Sequence, residues 1–446
     1  MKMSIGLEMD EKNDSAVFLP RLGVFFQILP LILFIAFFFP NTRVESLSGS
    51  MLIGRWIILF LVAGFVLLRW FMTSDYSIHS AFRHLSLKGS FILAFLWCGT
   101  SIVESVNPPL ALAKWTVFVI FLLICSAYSG FVQTREEILS ILYPFALFFI
   151  FYIWLTPAGV FYFPQPLRGD IGYINGFMVF APALGHFLAS FGVPSLLFMM
   201  TRAERVKFRA FLGLTLLGGL LLIFKSGSRS AAFTTAGILT IALLRWKGDE
   251  RLSFLKGTLI CVLAAAVISF PNLGEFGWGF LMKYPETELL SSREEFWGNA
   301  LRAFWERPHF GYGFGVQEQL QGMPVGFFSI GWREQGSTFY GLLEEVGIVG
   351  AFPLFVAFFV MGWRCARSVL FSQDPLEIFF SQVVLVGLGL AAFENYLVYL
   401  GNATSILVFL AFFLRERLLS LSSPDPPAPA TVEEGSQMEP EGRLPL

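Results

Sequence analysis

The feature that most constrains this chain is a series of about twelve apolar stretches that covers almost its whole length. A helix that crosses the hydrocarbon core of a bilayer needs about 20 apolar residues, and its backbone groups must be satisfied within the helix. The predicted spans are 22–39, 52–71, 89–103, 110–128, 138–156, 175–200, 209–225, 229–244, 256–271, 338–363, 376–398 and 400–415. Because 55% of the residues are hydrophobic and only 14% are charged, we predict an all-α, polytopic membrane helical bundle.

The loops between these spans differ in positive charge. Most of the 31 Lys and Arg residues fall in alternate loops, and the positive-inside rule makes those loops cytoplasmic. This arrangement predicts that both termini are cytoplasmic, that residues 1–421 form one transmembrane domain, and that one large outer-face loop lies at about 271–337. Residues 422–446 are rich in Pro, Glu and Ser and are predicted to form a disordered cytoplasmic tail.

Composition also excludes several classes of function. The net charge of −1 and the lack of a basic domain argue against binding to nucleic acid. The four Cys and four His residues show neither a metal-binding spacing nor an HExxH motif. The sequence therefore predicts no metal and no cofactor.

The predicted outer loop contains one clear helix, SSREEFWGNALRAFWERP, at 291–308. Its aromatic residues recur at helical spacing, which is typical of an amphipathic helix at a membrane interface. Arg293 precedes Trp297 by one turn and shares its apolar face, whereas Arg302 faces the other side. Arg293 is therefore predicted to point into the protein. The next residues, HFGYGFG at 309–315, predict a tight turn.

Four further polar groups interrupt apolar surroundings. FKSGSRSAAF, at 224–233, places two cations, Lys225 and Arg229, in the turn between two predicted spans. Glu344 and Glu345 lie early in an apolar helix, where a carboxylate is costly and therefore indicates function. The last two groups lie at the outer ends of predicted spans and contain Arg168, Asp170 and Asn175 in one case and Glu394 and Asn395 in the other.

Four stretches between about 170 and 350 follow one another in a characteristic order. GDIGYINGFMVFAPAL leads into a mid-chain helix, and LLIFKSGSRSAAFTTAGIL contains an apolar–Ser–Arg–small–small turn. SSREEFWGNALRAFWERPHFGYGFG is an arginine-led helix that runs into a glycine–aromatic turn, and STFYGLLEEVGIVG re-enters the membrane with spaced Leu, Glu and Gly. Together these stretches resemble the O-antigen ligase and O-antigen polymerase superfamily of polytopic envelope proteins.

The resemblance implies a metal-independent glycosyltransferase of the bacterial inner (cytoplasmic) membrane, with its active face outward. Such proteins take a glycan from an undecaprenyl-diphosphate carrier. Ligases transfer it to the lipid A–core or another cell-surface glycan, and polymerases transfer it to another repeat unit. The implied partners are the lipid-linked donor, a glycan or glycolipid acceptor, and membrane lipid. The arginines thought to hold the diphosphate in this family carry over as Arg229 and Arg293.

The family's proposed base is a His just before the re-entry helix, and this sequence has Gly336, Ser337 and Thr338 there. The nearest replacements are Ser337 and the carboxylates Glu344 and Glu345. The predicted catalytic residues are Arg229, Arg293 and Glu345. The residues predicted to bind the diphosphate or the glycan are Lys225, Arg229, Arg293, Asn175 and Ser337.

Three alternatives stay open. An exopolysaccharide or O-antigen polymerase fits because polymerase-like relatives vary at the position of the missing His. A polysaccharide transporter or flippase would also have about twelve spans, although transporters usually bury ionisable residues near the bilayer midplane. The missing His also fits a non-catalytic role in envelope assembly.

Overall fold

A computed structural model describes residues 19–38, 45–72, 88–162, 181–244, 291–316, 336–395, 397–398 and 403–422. Within these ranges the chain forms helices and turns and contains no β-strand, which confirms the predicted all-α fold. The helices are α1 (Leu19–Phe38), α2 (Glu45–Met72), α3 (Lys88–Cys98), α4 (Pro108–Phe131), α5 (Arg135–Tyr162), α6 (Ala181–Phe187, a π-helical turn Leu188–Gly192, and Val193–Arg202), α7 (Val206–Lys225), α8 (Arg229–Leu244), α9 (Ser291–Glu306), α10 (Thr338–Phe371), α11 (Pro375–Phe393) and α12 (Ala403–Ser422).

The helices coincide with the predicted spans wherever the structure describes them. In the described part of the chain, six helices are long and apolar enough to cross a membrane, namely α4, α5, α6, α7, α10 and α11. The total of about twelve spans stays a prediction. The predicted span 256–271, the site residue Asn175 and the tail beyond Ser422 lie outside the described residues.

Helix α6 lies at the centre of the bundle. Its apolar window is 94% buried, whereas the windows of the other candidate spans are at most 61% buried. From Ala181 onward the helix continues through Pro182 and Pro194, and it widens into a π-helical turn at Leu188–Gly192. Because α6 is surrounded by other helices on nearly all sides, a polar residue on it faces those helices and not lipid.

Aromatic packing fixes the rotation of α6. The ring of Phe187 stacks on Phe149 of α5, with centroids 4.5 Å apart, and on Phe34 of α1 at 5.6 Å. Phe38, at the end of α1, approaches the same ring to 4.9 Å. Such pairs contribute about 0.5–1.5 kcal/mol each beyond the area that they bury. The preceding residue, His186, is thereby held at a defined orientation.

Charged side chains gather at both ends of the bundle. At the loop end, which is the end that carries α9, they surround Arg293. At the opposite end, Arg415 of α12 contacts Glu416 at 2.5 Å and Glu377 of α11 at 3.4 Å. There too, Arg135 of α5 pairs with Asp374, which caps the first turn of α11. The network at the opposite end therefore links α5 and α12 to α11, and the other end of α11 leads directly to Glu394 at the loop end.

Candidate functional site

Arg293 and Glu394 form an ion pair at the loop end. Arg293 lies on the first turn of α9, and its guanidinium donates a 2.6 Å hydrogen bond to Oε1 of Glu394, the residue directly after α11. The two side chains are only 21% and 14% exposed. Arg302, nine residues further along α9, is exposed. The helical spacing therefore correctly predicted which arginine points inward.

His186 lies against the same carboxylate. Its Nε2 atom is 3.5 Å from Oε1 of Glu394 and 3.0 Å from the hydroxyl of Ser230 on α8. The side chain is buried. Four segments, α6, α8, α9 and the end of α11, thus meet at what we call the loop-end cluster, defined as His186, Ser230, Arg293 and Glu394. His186 was not predicted as a site residue, although an ionisable side chain within a strongly apolar stretch is a signal for one.

The turn between α7 and α8 determines where Ser230 lies. Gly227 adopts a φ of 68°, in the left-handed region that glycine enters without a Cβ penalty. The hydroxyl of Ser228 accepts a hydrogen bond from the backbone N–H of Ala231 at 3.3 Å and so caps the first turn of α8. The same hydroxyl lies 3.3 Å from that of Ser230. The serines of this turn therefore stabilise the helix start and also reach the cluster.

Small residues allow α6 to approach this turn closely. A Cβ atom at Gly185 would overlap with the side chains of Ser226 and Ser228. Glycine at 185 is therefore required by the contact between α6 and the turn. Because His186 follows directly, this contact also brings its ring to Ser230.

The two predicted cations of the turn flank it. Lys225 is the last residue of α7 and Arg229 is the first residue of α8, and both side chains are half-buried. Arg229 directly precedes Ser230, which contacts His186. The structure thus brings the turn with Arg229 and the helix with Arg293 to one cluster. That these residues bind a ligand stays a prediction.

Ser337 lies beside the loop-end cluster, and its side chain hydrogen-bonds to the backbone. Its hydroxyl accepts a hydrogen bond from the N–H of Phe339 at 3.2 Å and caps α10. The next residue, Thr338, donates both its N–H and its hydroxyl to the backbone carbonyl of Glu394, at 3.1 and 2.9 Å. The segment that lacks the family's His therefore holds the backbone of Glu394, whose side chain contacts Arg293 and His186.

Glu345 lies away from the loop-end cluster. Eight residues separate it from Ser337 on a helix, which corresponds to about 12 Å along the axis. Its Oε2 atom accepts a 2.9 Å hydrogen bond from the N–H of Gly315, and the carbonyl of Gly315 accepts a 2.5 Å hydrogen bond from Lys114 of α4. The carboxylate is buried. The structure therefore associates Glu345 with the glycine–aromatic turn and not with the loop-end cluster, and its catalytic role stays a prediction.

The glycine–aromatic turn is built into a break in α10. Gly347 has a φ of 60°, so the helical hydrogen bonds across it are lost. The freed carbonyls of Glu344 and Glu345 accept hydrogen bonds from the N–H groups of Tyr312 and Gly313, at 3.0 and 2.7 Å. The freed N–H groups of 348 and 349 donate in turn to the carbonyls of 308 and 309. These four released backbone groups thus find partners, as an apolar environment requires.

Metal binding has no support from the described side chains. Within the described ranges, no group of three or more His, Cys, Asp and Glu residues is arranged to hold a metal ion. The predicted metal independence stays a prediction. Asn175, the remaining predicted binding residue, falls in the segment 163–180, which the structure does not describe.

Comparison with known proteins finds a similarity in the middle of the chain. Residues 214–355 match the family model for O-antigen ligase, and no curated protein matches the chain significantly. The match confirms the resemblance to the O-antigen ligase superfamily, a family of glycosyltransferase-type enzymes that act on lipid-linked glycan donors and glycan acceptors. The predicted site residues inside the matched range are Lys225, Arg229, Arg293, Ser337 and Glu345. His186 and Glu394 lie outside it.

Proposed function

We propose, from the premise that residues 214–355 carry the O-antigen ligase match, that this protein is a membrane glycosyltransferase with an undecaprenyl-diphosphate-linked glycan as its donor. The acceptor is the lipid A–core or another cell-surface glycan. One observation carries the proposal. Arg293 and the turn with Arg229 meet at a single cluster, although the two residues belong to separate segments of the chain.

A lipid diphosphate is the leaving group in such a transfer. As the bond from sugar to diphosphate breaks, negative charge develops on the phosphate oxygens, and fixed cations stabilise it. A guanidinium group matches phosphate geometry with two parallel hydrogen bonds, so Arg229 and Arg293 suit this task. Lys225 adds a third positive charge on the same turn. These contacts gain strength because the cluster is largely shielded from water.

Glu394 has a defined part in this scheme. A largely buried guanidinium without a counter-charge is strongly unfavourable. The carboxylate of Glu394 neutralises Arg293 before the donor arrives. The diphosphate then competes with Glu394 for the same N–H groups, so donor binding displaces the carboxylate toward His186, which already lies 3.5 Å away.

The site lies where a lipid-linked donor can reach it. Helix α9 exposes Trp305, which is 73% accessible, and Trp side chains favour the membrane–water interface. The polyprenyl tail would remain in the bilayer while the diphosphate reaches the arginines at the end of the bundle. We assign this end to the outer face of the bacterial inner membrane and both termini to the cytoplasm, because of the distribution of Lys and Arg.

A second candidate function is the polymerisation of repeat units. It is supported by Gly336, Ser337 and Thr338, which stand where a ligase has its His. A polymerase needs the same diphosphate site but uses a second lipid-linked glycan as acceptor. The product therefore distinguishes the two reactions, because only a polymerase extends the glycan while it remains on the carrier.

The test uses purified full-length protein in proteoliposomes that contain synthetic undecaprenyl-diphosphate glycan, with or without lipid A–core. Arg229→Ala and Arg293→Ala should each reduce glycan transfer roughly 100-fold or more, the usual effect of removing a preorganised charge-stabilising group. Arg302→Ala is the matched control, since Arg302 is on the same helix but exposed. Full transfer by both site variants, or no transfer by the wild-type protein to either acceptor, contradicts the proposal.

A further inference from the structure

A patch of exposed positive charge lies at the connection between α6 and α7. Arg202 is the last residue of α6, Arg205 directly precedes α7, and Lys207 is the second residue of α7. All three side chains are exposed, and Glu204 is the one acidic residue among them. We call Arg202, Arg205 and Lys207 the basic patch.

The basic patch lies at the opposite end of the bundle, away from the loop-end cluster. Phe198, one turn before Arg202, packs on Phe379 of α11 with ring centroids 5.4 Å apart. Helix α11 begins at that end, where Asp374 caps its first turn. The patch therefore lies near the end of the membrane-spanning helices, at the depth where lipid headgroups are expected.

Two contacts hold this connection in place. The guanidinium of Arg209, on the first turn of α7, donates a 2.6 Å hydrogen bond to the backbone carbonyl of Ala203. The guanidinium of Arg202 lies over the ring of Phe198, 5.5 Å from its centroid, as in a cation–π interaction. The basic patch is therefore presented by an ordered turn with contacts of its own.

Exposed aromatic rings continue from the basic patch along α7. The rings of Phe208 and Phe211 stack with centroids 6.4 Å apart, and Phe211 stacks on Trp154 of α5 at 6.1 Å. All three rings are exposed. Lys207 precedes Phe211 by one turn and therefore shares its face of the helix. One side of α7 thus carries a cation at its end and apolar rings further along.

We propose that this surface binds an anionic phospholipid, with the phosphate against the basic patch and an acyl chain along Phe208, Phe211 and Trp154. Lys and Arg residues beside a membrane attract anionic headgroups, and exposed apolar rings favour contact with hydrocarbon. Free phosphate complements only the cations, and a lipid without net charge complements only the rings. An anionic phospholipid complements both parts of the surface, and this inference is independent of the proposed glycan transfer.

A lipid bound there would hold two helices together at their connection. Its phosphate would contact residues of both α6 and α7, and its acyl chain would lie over a ring of α5 as well. A ligand that binds the folded protein and not the unfolded chain stabilises the folded state as its concentration rises. The lipid should therefore raise the temperature of unfolding until the site is saturated.

The positive-inside rule alone makes a different prediction. Cations that only set the orientation during membrane insertion need no bound lipid, so they predict no saturable effect of lipid on the purified protein. Arg364 and Arg367 provide a matched control, because both are exposed on α10 and the carbonyl of Arg364 contacts Arg415 at the same end of the bundle. Replacing these two residues removes the same charge as replacing Arg205 and Lys207.

The experiment uses full-length protein in an uncharged detergent, to which phosphatidylglycerol, phosphatidylcholine or inorganic phosphate is added. Thermal denaturation and native mass spectrometry measure stabilisation and retained lipid. Phosphatidylglycerol should raise the melting temperature in a saturable manner, whereas the other two additions should have little effect. The double variant Arg205→Gln, Lys207→Gln should bind phosphatidylglycerol roughly 30-fold more weakly, since each cation beside an anionic membrane contributes about fivefold.

Two further variants test the specificity of the surface. The double variant Arg364→Gln, Arg367→Gln should bind phosphatidylglycerol within about threefold of wild type, because it leaves the basic patch intact. Phe208→Ala should weaken binding of the same lipid several-fold, because it removes an exposed ring that the acyl chain would cover. Circular dichroism verifies that each variant keeps its helix content.

Three results would overturn the proposal. The first is equal binding of phosphatidylglycerol by the wild-type protein and by the Arg205, Lys207 double variant. The second is an equal loss in the Arg364, Arg367 double variant, which would show that net charge and not the basic patch attracts the lipid. The third is stabilisation by inorganic phosphate as large as that by phosphatidylglycerol. Because none of these measurements uses glycan transfer, each result leaves the proposed function untouched.

Discussion

The carboxylate of Glu394 accepts a 2.6 Å hydrogen bond from Arg293, although 101 positions separate the two residues in the chain. The same oxygen lies 3.5 Å from His186. A single side chain thus joins the first turn of the loop helix α9 to the central helix α6. Arg293 and His186 approach the same oxygen of Glu394. A donor that binds Arg293 should therefore also change the contact between Glu394 and the imidazole.

Replacing Glu394 should separate donor binding from transfer. We expect Glu394→Gln to bind the labelled donor at least as tightly as wild type, because the diphosphate no longer competes with a carboxylate for Arg293. Transfer should fall roughly tenfold or more, since a hydrogen bond to a charged group contributes about 1.5–3 kcal/mol to the orientation of Arg293. Glu294→Gln, an exposed change next to Arg293, is the control. Weaker donor binding with unchanged transfer would argue against this role of Glu394.

Glu345, the base that the sequence predicts, can be tested against a purely supporting role. In Glu345→Gln the side-chain carbonyl can still accept the hydrogen bond from Gly315, so a supporting role predicts transfer within about threefold of wild type. Glu345→Ala removes the acceptor and should lower the free energy of unfolding by about 1–3 kcal/mol. Transfer rates and thermal denaturation in detergent measure the two effects. If the folded Gln variant loses transfer about 100-fold, the supporting role is wrong and Glu345 is the base that the sequence predicts.

The close contact of α6 with the serine turn predicts an unusual effect of alanine. Ala normally favours a helix over Gly by about 1 kcal/mol. At Gly185, however, the added methyl group overlaps with Ser226 and Ser228, so Gly185→Ala should reduce both transfer and thermal stability. Gly64→Ala on α2 is the matched control, because a Cβ atom there meets nothing within 4 Å. Equal stability of the two variants would show that α6 and the turn are not in tight contact.

The network at the opposite end should affect stability and not chemistry. The side chain of Arg415 is 3% exposed and contacts both Glu377 and Glu416. Arg415→Ala removes the buried cation that Glu377 and Glu416 share, which should cost about 3–5 kcal/mol of unfolding free energy. Arg364→Ala, whose side chain is 48% exposed and 3.8 Å from Glu416, should cost at most about 1 kcal/mol. Thermal denaturation compares the two. Loss of transfer in folded Arg415→Ala protein would contradict the assignment of the chemistry to the loop end.

Several features of the site could be predicted because they depend on local chain properties. The turn with Lys225 and Arg229 was predicted from two cations between apolar runs, and the structure places it between α7 and α8. The inward direction of Arg293 was predicted from the 100° rotation per residue of a helix. The position of Ser337 at the start of α10 likewise followed from where the polar sequence becomes apolar.

The contacts among these residues could not be predicted in the same way. His186 and Glu394 are separated by about half the chain, and no periodicity connects a residue on α6 with one after α11. Glu345 is the opposite case. The sequence predicted a site there because a carboxylate lies in an apolar stretch. In the structure that carboxylate hydrogen-bonds to the backbone of Gly315, which indicates that it supports the glycine–aromatic turn. A single ionisable residue in an apolar stretch indicates that a polar partner exists, but it does not indicate which residue that partner is.

The sequence alone determined that the chain is an all-α membrane bundle, where the six described helices that could cross a membrane lie, and which arginine of α9 faces inward. Hydrophobic length and helical periodicity are properties of neighbouring residues, so they can be read without knowledge of the fold. The tertiary structure alone decided that Arg293, Glu394, His186 and Ser230 form one cluster and that Glu345 lies apart from it. These contacts depend on how α6, α8, α9 and α11 pack, and glycine contacts and aromatic stacking between distant parts of the described chain contribute to that packing.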